Sequence, residues 1–242
     1  MIPAWLSFFD AILTLVMVAV GILGAHFYLV VPFFGFQAFL LGFLLSIIAF
    51  ILGVIGIFAT RSPQRAAVRP RAIFGTVVAL AIATPVILIF LGSHGYPPIN
   101  DITTNIDDPP EFVHAAELNP GRDMKYDKAR NAERQTAGYG RLEPLILRSA
   151  PDEAFEKVEA AAKEMPGWEI HEDRDKHTLE GFATSSLFHF QDDFVIRVRP
   201  AQDGSGSVID MRSKSRDGIG DFGVNYKRIQ AFFAKLNSKS GA

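Results

Sequence analysis

From Ala11 to Thr60 the chain runs fifty residues without an Asp, Glu, Lys or Arg. About 20 apolar residues suffice for a helix to cross a bilayer, so fifty are too many for one crossing. The break falls near 26–35, where His26, Tyr28, Pro32 and Gly35 cluster. Proline lacks an N–H and disfavours helix at the residue before it, which suits a turn. Two spans are therefore predicted, at about 5–27 and 36–59. A third apolar run gives a span at 72–93 with Pro85 inside it. Membrane helices tolerate such a proline because neighbours re-satisfy the freed carbonyl, and a kink is expected near 81–85.

Residues 1–94 hold only Asp10, Arg61, Arg65, Arg69 and Arg71 as charges. The four arginines share one eleven-residue loop with no acid, and short basic loops stay in the cytoplasm. The second span then ends inside, the third exits, and everything after His94 lies outside. The expected location is a bacterial inner membrane, multi-pass, with a cytoplasmic N-terminus and, in a Gram-negative cell, a periplasmic C-terminal domain. The first span lacks the basic start of a cleaved signal peptide and is too long for one. Asp10 has two open readings: an intramembrane carboxylate in a relay or interhelical bond, or a headgroup-level residue that helps the helix start. Gly21, Gly24, Gly42, Gly53 and Gly56 allow close helix approach without forming a strict GxxxG.

Residues 95–242 carry the other 20 Lys+Arg and 25 Asp+Glu. This division between an apolar front and a charged, net acidic back excludes a single soluble domain and a typical nucleic-acid binder. The chain has no cysteine, so disulfides, thiolate metal sites and a Cys nucleophile are excluded. Residues 95–141, with Pro97, Pro98, Pro109, Pro110 and Pro120 and a run of Asn, Asp and Thr, read as an irregular linker or wrap. Residues 142–242 read as one domain. A strand is predicted at 142–148, then a helix capped by Ser149 with Pro151, Asp152 and Glu153 in its first turn. Period-two alternation follows through Trp168 and Ile170, 177–184, Phe194 to Val198, and Ile209 to Met211. The last helix, capped by Asp221, bears Ile229, Phe232, Phe233 and Leu236 on one stripe. The pattern is α+β: three transmembrane helices, then an extracytoplasmic antiparallel sheet packed by two helices.

The stretch Ile209-Asp-Met-Arg-Ser-Lys-Ser-Arg-Asp-Gly-Ile-Gly-Asp-Phe-Gly-Val-Asn-Tyr-Lys-Arg-Ile229 resembles the signature of a bacterial and plastid family, domain of unknown function fourteen ninety-nine. Pro97 to Thr104 and Thr184 to Asp193 resemble it too, so the likeness covers about 95–237. Phe222 departs from the smaller aliphatic residue expected there. The resemblance implies a membrane-associated domain and carries no reaction and no cofactor.

Alternation places Arg212, Lys214 and Arg216 on one side of a strand, with Arg197 and Arg199 on the same side of its neighbour. Such a face is either a basic patch for anionic headgroups, phosphate or an acidic partner, or a solvated face with aspartates as counterions. Asn225 and Arg228, near the start of the last helix, either bind a ligand or tie the helix to the Asn100–Thr104 segment or the sheet. Phe182, Phe194, Ile196, Phe232 and Phe233 either line an apolar pocket or pack the core. Asp217 to Gly223 reads as a turn and cap rather than an anion loop. His171, His177 and His189 show no metal-ligand spacing, and Asp192 and Asp193 point to opposite faces. No metal, cofactor or catalytic residue is expected.

The leading expectation is a non-enzymatic inner-membrane protein whose outer domain binds a partner protein or an amphiphilic, anionic or hydrophobic ligand. The alternatives are an accessory or assembly subunit of a membrane complex and, behind it, an envelope lipid- or glycan-modifying enzyme.

Overall fold

The computed structural model describes residues 1–92, 95–140 and 142–240. Ser93, His94 and Arg141, where the third span, the membrane region and the linker were expected to end, lie outside them, as do Gly241 and Ala242. The chain divides into two units, Met1–His94 with Ser186–His189, and Gly95–Ser185 with Phe190–Ala242.

The first unit is built from α1 (Ile2–His26), α2 (Pro32–Ala59) and α3 (Arg69–Gly92). Each is long and apolar enough to cross a membrane, and α3 continues through Pro85. The basic loop forms a 3-10 turn over Pro63–Val68. The buried positions are small. They are Ala4, Ser7, Ala11, Thr14, Gly21, Gly24 and Ala25 in α1, Gly35, Ala38, Gly42, Ser46, Ala49, Gly53 and Gly56 in α2, and Ala72, Gly75 and Ala79 in α3. Lipid tails are as apolar as leucine, so burying large side chains between helices gains little, and close backbone packing takes over. A Cβ on Gly75 would run into Ser7 Oγ, and one on Gly53 into Thr76 Oγ1. The Ser7 hydroxyl donates to the Ala49 carbonyl at 2.9 Å. Asp10 is half-buried, and its Oδ2 has no hydrogen-bond partner. Of the loop arginines, Arg69 donates to the Thr60 carbonyl at 2.6 Å. Arg61 lies over the Phe58 ring at 4.0 Å and Arg71 over Trp5 at 3.9 Å.

The second unit runs β1 (Asp101–Thr103), α4 (His114–Leu118), α5 (Lys128–Tyr139), β2 (Leu145–Leu147), α6 (Pro151–Ala162), β3 (Trp168–Asp173), β4 (Thr178–Thr184), β5 (Gln191–Pro200), β6 (Ser207–Ser215) and α7 (Val224–Ser240). All pairs are antiparallel, in the order β1-β6-β5-β4-β3, with β2 also pairing β6. One face of the sheet packs on α6 and α7 over a core that includes Phe155, Leu179, Phe194, Ile196, Met211 and Phe232.

Two expectations are corrected here. The 95–141 segment is not irregular throughout: it supplies β1, α4 and α5. The Gln135 side chain of α5 satisfies both backbone groups of Thr103, at 3.0 and 2.6 Å, where a further strand would otherwise pair. Ser149 does not cap α6. The N-cap position is Ala150, and Ser149 instead offers its carbonyl to the Ser207 hydroxyl at 2.7 Å.

Candidate functional site

The second face of the sheet turns away from α6 and α7. Strand alternation brings Arg197, Arg199, Arg212 and Lys214 to this face, as their spacing predicts. The same alternation also brings Asp193, Asp210 and Asp101 there. Register sets Asp210 opposite Arg197 and both Asp193 and Asp101 opposite Lys214. With Arg216, just beyond the end of β6, these four cations therefore meet as an ion-paired array rather than a bare basic patch. Arg197 reaches Asp210 and Asp108 at 2.9 Å each, and Arg199 reaches Asp210 at 2.8 Å. Arg216 and Arg122 hold the two oxygens of Asp193, each at 2.7 Å. Lys214 lies 3.5 Å from Asp101 and donates to the Asp123 carbonyl at 2.7 Å.

Arg212 is the buried member, only 1% exposed. It grips Asp101 through Nε and Nη2, both at 2.8 Å, and donates to the Pro110 and Met124 carbonyls at 3.3 and 2.9 Å. The rings of Phe112 and Tyr126 flank it at 4.8 and 5.3 Å. Burial and the nearby Asp101 charge push the Tyr126 phenol pKa up. Phe112, Ala115 and Met124 cluster with Val195, so the 105–126 segment covers part of this face.

The apolar set separates. Phe194, Ile196 and Phe232 are fully buried, Phe233 packs beside them, and Trp168 packs tilted on Phe194 at 4.0 Å and stacked on Phe232 at 5.4 Å. They fill the core. Phe182 is on the opposite face, with the Arg216 guanidinium 4.8 Å from its ring. In β4 it is Leu179, Gly181 and Ala183 that share the inward parity, and Gly181 sits opposite Phe194. The expected five-residue pocket is thus not one surface.

Asn225 and Arg228 make structural bonds. Asn225 is buried. It accepts from the Ser213 hydroxyl at 2.7 Å and donates to Ser215 Oγ at 2.9 Å and to the Asn100 carbonyl at 3.2 Å. Arg228 donates to Asp192 at 2.5 Å and to Ser213 Oγ at 2.9 Å. Asp192 and Asp193 do face opposite sides. His177 bonds Asp152 at 2.6 Å. Among the described residues no group of three or more His, Asp or Glu is arranged to hold a metal.

One of the clefts that open on the charged face has about 390 Å³ and is bounded by 108–117 on one side and β3, β4 and β5 on the other. His114 and His171 lie face to face in it, with ring centroids 3.9 Å apart. Glu180 positions this pair. Its carboxylate accepts from the backbone N–H groups of Val113, His114 and Ala115 at 2.8 to 3.0 Å, which fixes the start of α4 over β3 and β4. Asp108, Glu111, Glu117 and Asp173 line the cleft against Lys176 and Arg197. Asp108 is engaged by Arg197, and Asp173 by Lys176 at 2.8 Å. Carboxylates outnumber cations, so the lining is net acidic. His114, Glu117 and Glu180 were not singled out in the sequence. The parity that aligned the cations also aligns Glu180 with them, but only the fold brings His114 across to His171.

The family described as "Protein of unknown function (DUF1499)" matches residues 101–236, from β1 into α7 and more than half of the chain. Neither a curated protein nor a solved structure matches.

Proposed function

The chain belongs to this family, DUF1499, and from the chemistry of its own cleft we propose that it is a membrane-anchored binding module rather than an enzyme. Helices α1–α3 hold it in a bacterial inner membrane with the Arg61–Arg71 loop in the cytoplasm. The α+β domain faces the outside, the periplasm in a Gram-negative cell. The cleft takes a cationic, hydrogen-bonding group presented by a partner protein or by an amphiphile.

One observation carries this reading: the stacked His114–His171 pair lies in an open cleft with a net acidic lining. A cleft in which one sign of charge predominates favours ligands of the other sign. The size is that of an ordinary ligand site. The anionic ligand is less well supported, because Arg197, Arg199, Arg212 and Arg216 already hold carboxylates. The hydrophobic ligand loses its site to the packed core.

The test is native mass spectrometry of the full-length protein from mild detergent, with the bound species identified. The parent should retain an amine-bearing lipid or a stoichiometric protein. The double variant Glu117→Gln, His171→Ala should release it while remaining folded. Retention of the same species by the variant, or no retained species in the parent, contradicts the proposal.

A further inference from the structure

The segment between β6 and α7 displays two large apolar side chains. Ile219 is 73% exposed and Phe222 59%, with Val224 exposed beside them. Phe222 sits at φ +51°, a left-handed conformation that a bulky residue enters only at a cost. Its backbone is firmly held. The Asp221 carboxylate accepts from the N–H groups of Gly223 and Asn225, each at 2.9 Å. The Asp221 N–H donates to the Ile99 carbonyl at 3.2 Å, and the Asn100 amide donates to the Gly218 carbonyl at 2.7 Å. Gly223 lies against the Tyr96 ring and Gly220 against Pro98, so close that a Cβ would come within 2.7 and 3.1 Å of them. A fixed backbone, strained at one residue, thus presents apolar side chains to the surroundings.

Chain connectivity limits how far from the end of α3 the residues around this segment can lie. The residues that grip this segment, Tyr96 to Asn100, follow α3 directly. Tyr96 is four residues beyond Gly92, the last of α3, and Pro98 is six. At no more than ~3.6 Å per residue the chain reaches about 14 Å to Tyr96 and about 22 Å to Pro98. A bilayer adds roughly 5–8 Å of headgroup layer beyond its hydrocarbon on each side. Lys227 follows the segment, its ammonium 5.3 Å from the Tyr96 ring centroid, whereas Arg216 before it is held by Asp193 and Asp217 is exposed beside it. Exposed apolar side chains with a cation nearby suit the interfacial layer of a membrane.

We propose that Ile219 and Phe222 enter the interfacial layer of the bilayer that α1–α3 cross, and so dock the domain on a lipid surface. The inference uses the membrane-spanning reading of the helices and is independent of the cleft.

The chain has no cysteine, so a single introduced one reports alone. Ile219→Cys and Phe222→Cys, each carrying an environment-sensitive fluorophore, are read in the full-length protein in phosphatidylcholine–phosphatidylglycerol vesicles. Ser205→Cys, in the exposed β5–β6 turn, serves as the water reference and Leu44→Cys, in α2, as the lipid reference. Labels at 219 and 222 should emit to the blue of the one at 205. They should be quenched by spin-labelled lipid and be shielded from iodide. Water-like emission with full iodide quenching overturns the proposal. So does iodide shielding without lipid quenching, which would mark a protein contact. A label at 44 that spin-labelled lipid leaves unquenched refutes the spans, and the docking with them. Ile219→Cys leaves the strained residue in place, so the test stands even if Phe222→Cys fails to fold.

Discussion

A guanidinium out of water, as at Arg212, is stable only when its N–H groups meet acceptors and its charge meets an opposite one. Asp101, Pro110 and Met124 accept four hydrogen bonds from it, and Asp101 supplies the charge. Breaking a buried pair from one side leaves the other charge alone, which costs about 3–5 kcal/mol. Arg212→Met should lose about that much, measured by denaturant unfolding of the full-length protein in detergent. Arg212→Met with Asp101→Leu should recover part of it, since no lone charge remains. Asp221 poses the opposite case. Burial raises its pKa above the usual carboxylate value, and the N–H groups of Asn225 and Gly223 pull it back only in part. The folded state therefore holds this proton more tightly than the unfolded chain does. The associated stability is full below the unfolded value near pH 4 and is lost as pH rises through the raised one. Asp221→Asn removes the titration and keeps an acceptor. The variant should gain on the parent in unfolding free energy as pH rises above about 4, and a gap that does not change with pH would contradict this.

Among the elements, the helix contacts are made by small residues. Gly75 packs on Ser7, and Gly53 on Thr76 and Ser7. Gly75→Leu should separate α3 from α1, read as faster proteolysis of the Arg61–Arg71 loop in detergent, while Leu44→Ala on the exposed face of α2 should leave that rate unchanged. The small residues recur every three or four positions, as in Ala4, Ser7, Ala11 and Thr14. A search for strict GxxxG passes over that spacing, although it is written in the sequence. In the sheet, alternation of period two sets Arg197, Arg199, Arg212 and Lys214 on one face, while Arg216 lies just beyond the end of β6. Alternation did not place Phe182, because a phenylalanine in a strand reads as inward, whereas Gly181 takes the inward position. A Cβ on Gly181 would meet the Glu169 carbonyl and the Phe194 ring. The strand β1 was hidden for another reason. Its partner residues in β6 lie more than a hundred positions away, and local Pro, Asn and Asp signals speak only of turns. Helix α5 was hidden because its buried stripe is Asn131, Gln135 and Tyr139, which carries the helical spacing without the apolar signal.

At the scale of the molecule, the division of charge was the most readable feature, and three long apolar helices followed by an α+β domain are what it implied. The cleft was the least readable. It depends on His114, His171 and Glu180 being brought together from α4, β3 and β4, and no local pattern joins them. The proposed role depends on the side of the membrane that the domain occupies, which in turn rests on the arginines of one loop. The most direct measurement is labelling by a membrane-impermeant maleimide of single cysteines at Ser205 and Gln64, both exposed, in right-side-out and inverted membrane vesicles. The account predicts that Ser205→Cys reacts in right-side-out vesicles and Gln64→Cys only in inverted ones. The reverse pattern, or both sites reacting from the same side, would contradict it.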